Sequence, residues 1–227
     1  MAFYPKYNPR RNALVFSSLI IAATSSLWNL SSFAQEDAGK IIGKVRSTYD
    51  NLASLHAEFE KQYTWALAGE TQTVTGKIYL KKGERYRIET EDQTVVTDGV
   101  TVWTYSSEKQ QVFVDRMEKS SENPLPRDLL VKYTSDFKPK YLRGERLAEK
   151  DCHVIRLTPR EDDSFATEVT VWVDKSTMLA IQVEQHDLND NVTVYRLRKI
   201  ELNPSLPDKL FTFDIPQNTE VIDLRKS

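Results

Sequence analysis

Apolar and polar residues alternate along most of this chain, and a period of two leaves little choice of structure. It builds strands with one face turned inward and the other outward. The run VVTDGVTVWTYSSEKQQVFV (residues 95–114) shows this most clearly, with turn signals at Asp98-Gly99 and Ser106-Ser107. The same alternation occupies LHAEFEKQYTW, the two short runs around Lys82-Gly83-Glu84, and the stretch KYLRGERLAEKDCHVIRLTPR. Three longer runs follow between residues 167 and 202, turning at residues 174–177 and 187–191. The sequence closes with LPDKLFTFDIPQNTEVIDL, read as a short helical turn, an apolar knot and a strand-like tail.

Helical spacing is confined to a few places. Ile41, Ile42, Val45, Tyr49 and Leu52 recur at helical intervals behind Glu36 and Asp37, whose charges suit a helix start. Pro124 and Pro126, followed by Leu129, Leu130 and Tyr133, predict one or two short helices. The resulting class is α+β, with about ten to eleven antiparallel strands and few helices. A many-stranded twisted sheet curls toward a barrel. Left unclosed, it presents an apolar inner face that short helices cover without filling, which is the usual form of a small-molecule pocket.

The first 34 residues carry Lys6, Arg10 and Arg11, an apolar stretch from Ala13 to about Leu30, and Ser32-Phe33-Ala34 at the end. That is the pattern of a secretory signal cleaved between Ala34 and Gln35, leaving residues 35–227 as one domain. No cysteine follows that point to carry a lipid; the single cysteine, Cys152, forms no internal disulfide and reads as a small strand residue. The whole chain has a formal charge of −2, and without the three basic residues of the leader it has −5, which gives no drive toward nucleic acid.

Chemistry-bearing patterns are sparse. His56, His153 and His186 lie far apart on strands or beside turns, and no paired cysteines accompany them, so no zinc site and no cofactor is expected. No nucleophile elbow, phosphate loop or dinucleotide glycine pattern occurs. Glu89, Glu91 and Asp92, and Glu161, Asp162 and Asp163, are acidic clusters that read as solvated turns; paired carboxylates of this kind otherwise serve a glycosidase or bind calcium. The expectation is a binding protein, not an enzyme.

The strand block resembles a known family. Gly76, Tyr79, Lys81-Lys82, Tyr86-Arg87, Thr97-Asp98-Gly99, Trp103 and Tyr105, in that order and spacing, are similar to the periplasmic outer-membrane lipoprotein carrier proteins of the LolA family, as is the closing KLFTFDIPQNTEVIDLRK. The resemblance implies an incomplete antiparallel barrel with a lid of short helices over a hydrophobic cavity. It implies a periplasmic monomer without cofactor that accepts lipidated lipoproteins from an inner-membrane ABC transporter and delivers them to an outer-membrane receptor. Within that frame the acyl cavity is assigned to Phe59, Tyr86, Ile88, Val95, Trp103, Val112 and Val114, with Ile42, Val45, Leu129 and Leu130 on the lid side. The family's lid latch falls on Lys82, where an Arg is usual; Arg85 and Arg87 stand close by. The rival reading is an envelope-stress sensor that binds lipid or lipoprotein on the same fold. A glycan hydrolase and an adhesive β-protein with a filled core are the remaining alternatives.

Overall fold

The computed structural model describes residues 37–117, 136–161 and 164–225. The expected leader and the expected lid helices around Pro124 to Leu130 lie outside the described residues.

One helix precedes the sheet. α1 (Ala38–Asn51) starts on Asp37, whose side chain accepts a hydrogen bond from the Lys40 amide at 3.2 Å. Its buried stripe is Ala38, Ile41, Ile42, Val45 and Tyr49, as the helical spacing predicts. Twelve strands follow among the described residues: β1 (Ser54–Trp65), β2 (Glu70–Lys81), β3 (Arg85–Thr90), β4 (Gln93–Thr97), β5 (Thr101–Ser106), β6 (Gln111–Arg116), β7 (Phe137–Leu147), β8 (Lys150–Pro159), β9 (Ala166–Asp174), β10 (Ala180–Asp187), β11 (Val192–Leu202) and β12 (Glu220–Asp223). They form a single sheet in the order β12-β6-β5-β4-β3-β2-β1-β11-β10-β9-β8-β7, open at β12 and β7. Every pair is antiparallel except β12 with β6. The strand beyond the expected number is β12, which the sequence shows only as a tail.

Turn chemistry holds the hairpins. Asp98 accepts from the amides of Val100 and Thr101 at 2.9 and 2.8 Å, and Gly99 takes a φ of 96°. A methyl group at Gly99 would come 2.5 Å from the Gly83 carbonyl oxygen, so glycine lets the β4–β5 turn rest against the β2–β3 turn. At the β9–β10 turn, Asp174 accepts from Lys150 Nζ, the Ser176 amide and Ser176 Oγ at 2.7–2.9 Å. Burial alone would raise its pKa; these bonds outweigh burial and hold it at about 2.

The register separates the two faces. α1 packs on the inner face, where its stripe joins Leu55, Ala57, Ile78, Ile155, Leu157 and Val171 in one core. The outer face of β1 and β11 is polar. Arg196 donates to Glu60, Gln62 and Gln182 at 2.8–2.9 Å, Arg198 pairs with Glu60 at 3.0 Å, and Lys199 donates to Glu58 at 2.9 Å. This is the amphipathic sheet the alternation predicts. Cys152 is buried on the outer side with Val154, Trp172 and Ile181.

The outer face of β3 to β6 is different, because the C-terminal segment crosses it. Asp208 accepts from Lys81 Nζ at 2.6 Å and from Arg85 Nη1 at 2.8 Å. Phe211, 1% exposed, carries both cations over its ring at 5.9 Å. Phe213 meets Tyr105 with ring centroids 5.5 Å apart, and the chain then adds β12 beside β6. β4 and β5 therefore carry apolar residues on both faces, Val95 and Val102 on one and Val96 and Trp103 on the other.

Candidate functional site

Among the described residues, one 14-residue helix faces a sheet of twelve strands. α1 buries its stripe against β1, β2 and the strands from β7 to β10. Toward β3, β4 and β5 the inner face continues as a second apolar cluster of Tyr86, Val95 and Val102. Leu80 and Ile88, both half-buried, pack against both clusters and join them. Phe59 and Leu197, paired across β1 and β11, extend the same surface.

Cross-strand partners fix this surface. Leu80 pairs with Tyr86, Ile78 with Ile88, Ile88 with Val95, and Thr97 with Val102. Directly opposed residues point to one face, so Phe59, Tyr86, Ile88 and Val95 share it. Phe59 lies opposite Gly76, and its ring covers the glycine. Any side chain there would strike the Phe59 ring and the Glu89 carbonyl. The glycine thus lets an aromatic ring lie flat along the trough floor.

Trp103, Val112 and Val114 do not join them. Trp103 pairs with Val96 on one side and Val114 on the other, and Tyr105 pairs with Val112. That row is one residue out of phase with Val95 and Val102, so it faces outward under the C-terminal segment. Tyr105, in the same row, meets Phe213, and Val112 and Val114 lie on the strand that β12 joins. Ile42 and Val45 lie at the helix–sheet contact, 5% and 1% exposed. Leu129 and Leu130 lie outside the described residues.

Lys82 sits exposed at the β2–β3 turn, beside a pocket of about 200 Å³ lined by Tyr49, Leu52, Leu80 and Arg85 among others. Its amide donates to the Ala53 carbonyl at 3.0 Å, and its own carbonyl accepts from Arg85 Nε and Nη2 at 3.2 Å. The neighbouring cations Lys81 and Arg85 are committed to Asp208. Arg87 pairs with Glu89 at 2.5 Å.

Sequence reasoning passed over Leu80, Val102 and Leu197. Leu80 was findable, since it follows Ile78 by two residues in a strand. Val102 was hidden by the larger Trp103 beside it. Leu197 needed the pairing of β11 with β1, which links residues far apart in sequence. Of the histidines, His56 stacks on Tyr79 at 4.6 Å, His153 is buried and His186 meets Glu184 at 3.1 Å. This arrangement can shelter hydrocarbon.

Comparison with known proteins agrees with that geometry. Residues 50–214 match the family model for outer membrane lipoprotein carrier protein LolA. The chain is 27% identical over 190 residues to an outer-membrane lipoprotein carrier protein of Histophilus somni, covering 82% of this chain and 88% of that one. It is 28% identical over 207 residues to the protein of that name from Haemophilus influenzae, covering 90% and 96%. Among solved structures, an uncharacterized conserved protein from Thermus thermophilus superposes with a TM-score of 0.56 at 12% identity, over 82% of this chain and 98% of that one. MucB superposes with a TM-score of 0.53 at 15% identity, over 80% and 64%. The last two share the fold. The family match spans most of the sheet and the C-terminal crossing, and the chain belongs to the LolA family of outer-membrane lipoprotein carrier proteins.

Proposed function

We propose that the protein is a periplasmic carrier whose inner sheet face holds the acyl chains of lipoproteins in transit. The cargo comes from an inner-membrane lipoprotein-releasing ABC transporter and goes to an outer-membrane receptor. Residues 1–34 act as the export signal and residues 35–227 as the carrier domain, which binds without catalysing a reaction. The observation that carries this reading is the apolar inner face beyond α1, where Phe59, Leu80, Ile88 and Leu197 remain only half-buried. A structural β-protein would have filled that surface.

Burying an acyl methylene is worth about 0.8 kcal/mol, so a chain of ~16 carbons approaches ~12 kcal/mol when fully covered. A free chain in water is held back by that amount, and a carrier that covered it fully would not release it. A trough that covers the chain only in part offers intermediate shelter, and passage to a more enclosing receptor is then downhill. The protein's part is differential burial, with energy for loading supplied by the transporter.

The test is lipoprotein release from inner-membrane vesicles. Ile88→Lys places a charge among Leu80, Tyr86 and Val95 and should abolish release while the far-ultraviolet spectrum stays native. Thr75→Lys, on the exposed outer side of β2, should release normally. Normal release by Ile88→Lys would remove the inner face from the carrier's work.

A further inference from the structure

The inner face changes character along β1. Leu55, Ala57 and Phe59 give way to Lys61, Tyr63 and Trp65 at the same alternate positions. Lys61 pairs with Val74 on β2 and with Tyr195 on β11, and its ammonium lies 5.6 Å from the centre of the Tyr195 ring. The row on one side is Gly76, Phe59 and Leu197; the row on the other is Gln72, Tyr63 and Thr193. No carboxylate occupies either row, and among the described residues Lys61 Nζ has no ion-pair partner. The acids of the same strand, Glu58 and Glu60, point outward and are taken by Lys199, Arg196 and Arg198. Lys61, Tyr63, Gln72 and Val74 line a depression of about 290 Å³.

The Lys61 ammonium thus sits beside the Tyr195 ring at the edge of an apolar surface, with no carboxylate in the rows next to it. A salt bridge in water adds little, but a half-buried cation backed by apolar surface gains from an anion brought to it. Burial raises the Tyr195 hydroxyl pKa, in keeping with reduced solvation of that row. One step along the same face begins the hydrocarbon surface of Phe59, Leu197 and Ile88. The distance from a charged head to the start of its tail is thus built into adjacent rows of one strand.

We infer that Lys61, with Tyr63, Gln72 and Tyr195 around it, is a head-group site for an anionic amphiphile, carboxylate or phosphate, whose chain lies along Phe59 and Leu197. The inference rests on the reading of the inner face as an acyl trough, and adds a free charged lipid to the ligands that trough admits. Such a lipid would compete with lipoprotein cargo for the same floor.

The experiment measures binding of palmitate, lysophosphatidylglycerol and hexadecanol by displacement of an apolar fluorescent dye, in the wild type, Lys61→Gln and Lys61→Arg. Palmitate should bind the wild type about tenfold or more tighter than hexadecanol, the size expected of one charge-assisted contact. Lys61→Gln should erase that preference and leave hexadecanol unchanged; Lys61→Arg should retain it. A preference for palmitate alone assigns a fatty-acid carboxylate. An equal, Lys61-dependent gain with lysophosphatidylglycerol assigns the site to phosphate lipids as well. Equal binding of palmitate and hexadecanol, or a palmitate preference that survives Lys61→Gln, overturns the head-group site and leaves the trough standing. Binding of none of the three overturns the trough, and this site with it.

Discussion

Gly76→Ala is the smallest change that should disturb the trough floor. A methyl group at Gly76 would overlap the Glu89 carbonyl oxygen and sit 2.7 and 2.8 Å from Cε1 and Cζ of Phe59. The ring can swing aside, but the carbonyl belongs to β3 and is held by the ladder with β2. Alanine also narrows the unfolded ensemble, which favours folding by about 0.4–1 kcal/mol. Overpacking against backbone costs about 1–3 kcal/mol, and an immovable neighbour puts this site toward the upper end. The net loss is about 2 kcal/mol. For a domain of this size that lowers Tm by about 4–8 °C. Thermal unfolding followed by circular dichroism measures it. Phe59→Leu in the Gly76→Ala background should recover part of the loss, because it relieves the ring contact and leaves the carbonyl overlap. A Gly76→Ala Tm equal to or above that of the wild type would refute the account of why glycine occupies this place.

Three further outcomes follow from the packing and the charges. Phe211→Ala empties a fully buried site under the C-terminal crossing and should destabilise by about 3–5 kcal/mol in urea unfolding; a loss under about 1 kcal/mol would mean the crossing is only loosely held. Asp174→Asn removes a carboxylate held at a pKa of about 2, below its ordinary 3.8. A depressed pKa gives stability that is fully present above the ordinary value and lost as pH falls through the depressed one, so wild type and variant should differ at neutral pH and converge as pH falls from about 4 to about 2. A gap that stays constant over that range would contradict the assignment. The buried Tyr49 hydroxyl has no hydrogen-bond partner among the described residues, so Tyr49→Phe should leave Tm unchanged or raise it; a clear fall would show that the hydroxyl is bonded in the folded protein.

Much of the fold was legible because alternation and turn residues are local signals. The α1 stripe, the Asp98-Gly99 turn and the succession of hairpins follow from the spacing of residues near one another. Which face of β4, β5 and β6 turns inward was not legible, and the reason is physical. Alternation marks a face only when one side meets water. Here Val95 packs inward and Val96 outward, Val102 inward and Trp103 outward, because the C-terminal segment covers the outer side with Phe211 and Phe213. That segment comes from the far end of the chain, so the choice of Trp103, Val112 and Val114 as inner residues rested on size and apolarity without register. Phe59, Tyr86, Ile88 and Val95 fall together on the inner face because β1 and β3 have a wetter opposite side. The closing tail reads as strand-like from its sequence, but its parallel place beside β6 did not show there, because four residues carry no signal of which distant strand they join.

The central claim is that acyl chains travel on the inner face of the sheet, and photocrosslinking reads this most directly. A benzophenone amino acid placed singly at Ile88, Leu197 or Trp103 would be irradiated while the carrier holds a radiolabelled lipidated cargo. The account predicts acyl adducts from Ile88 and Leu197 and none from Trp103. Adducts from Trp103 with none from Ile88 would show the cargo on the outer face and contradict it.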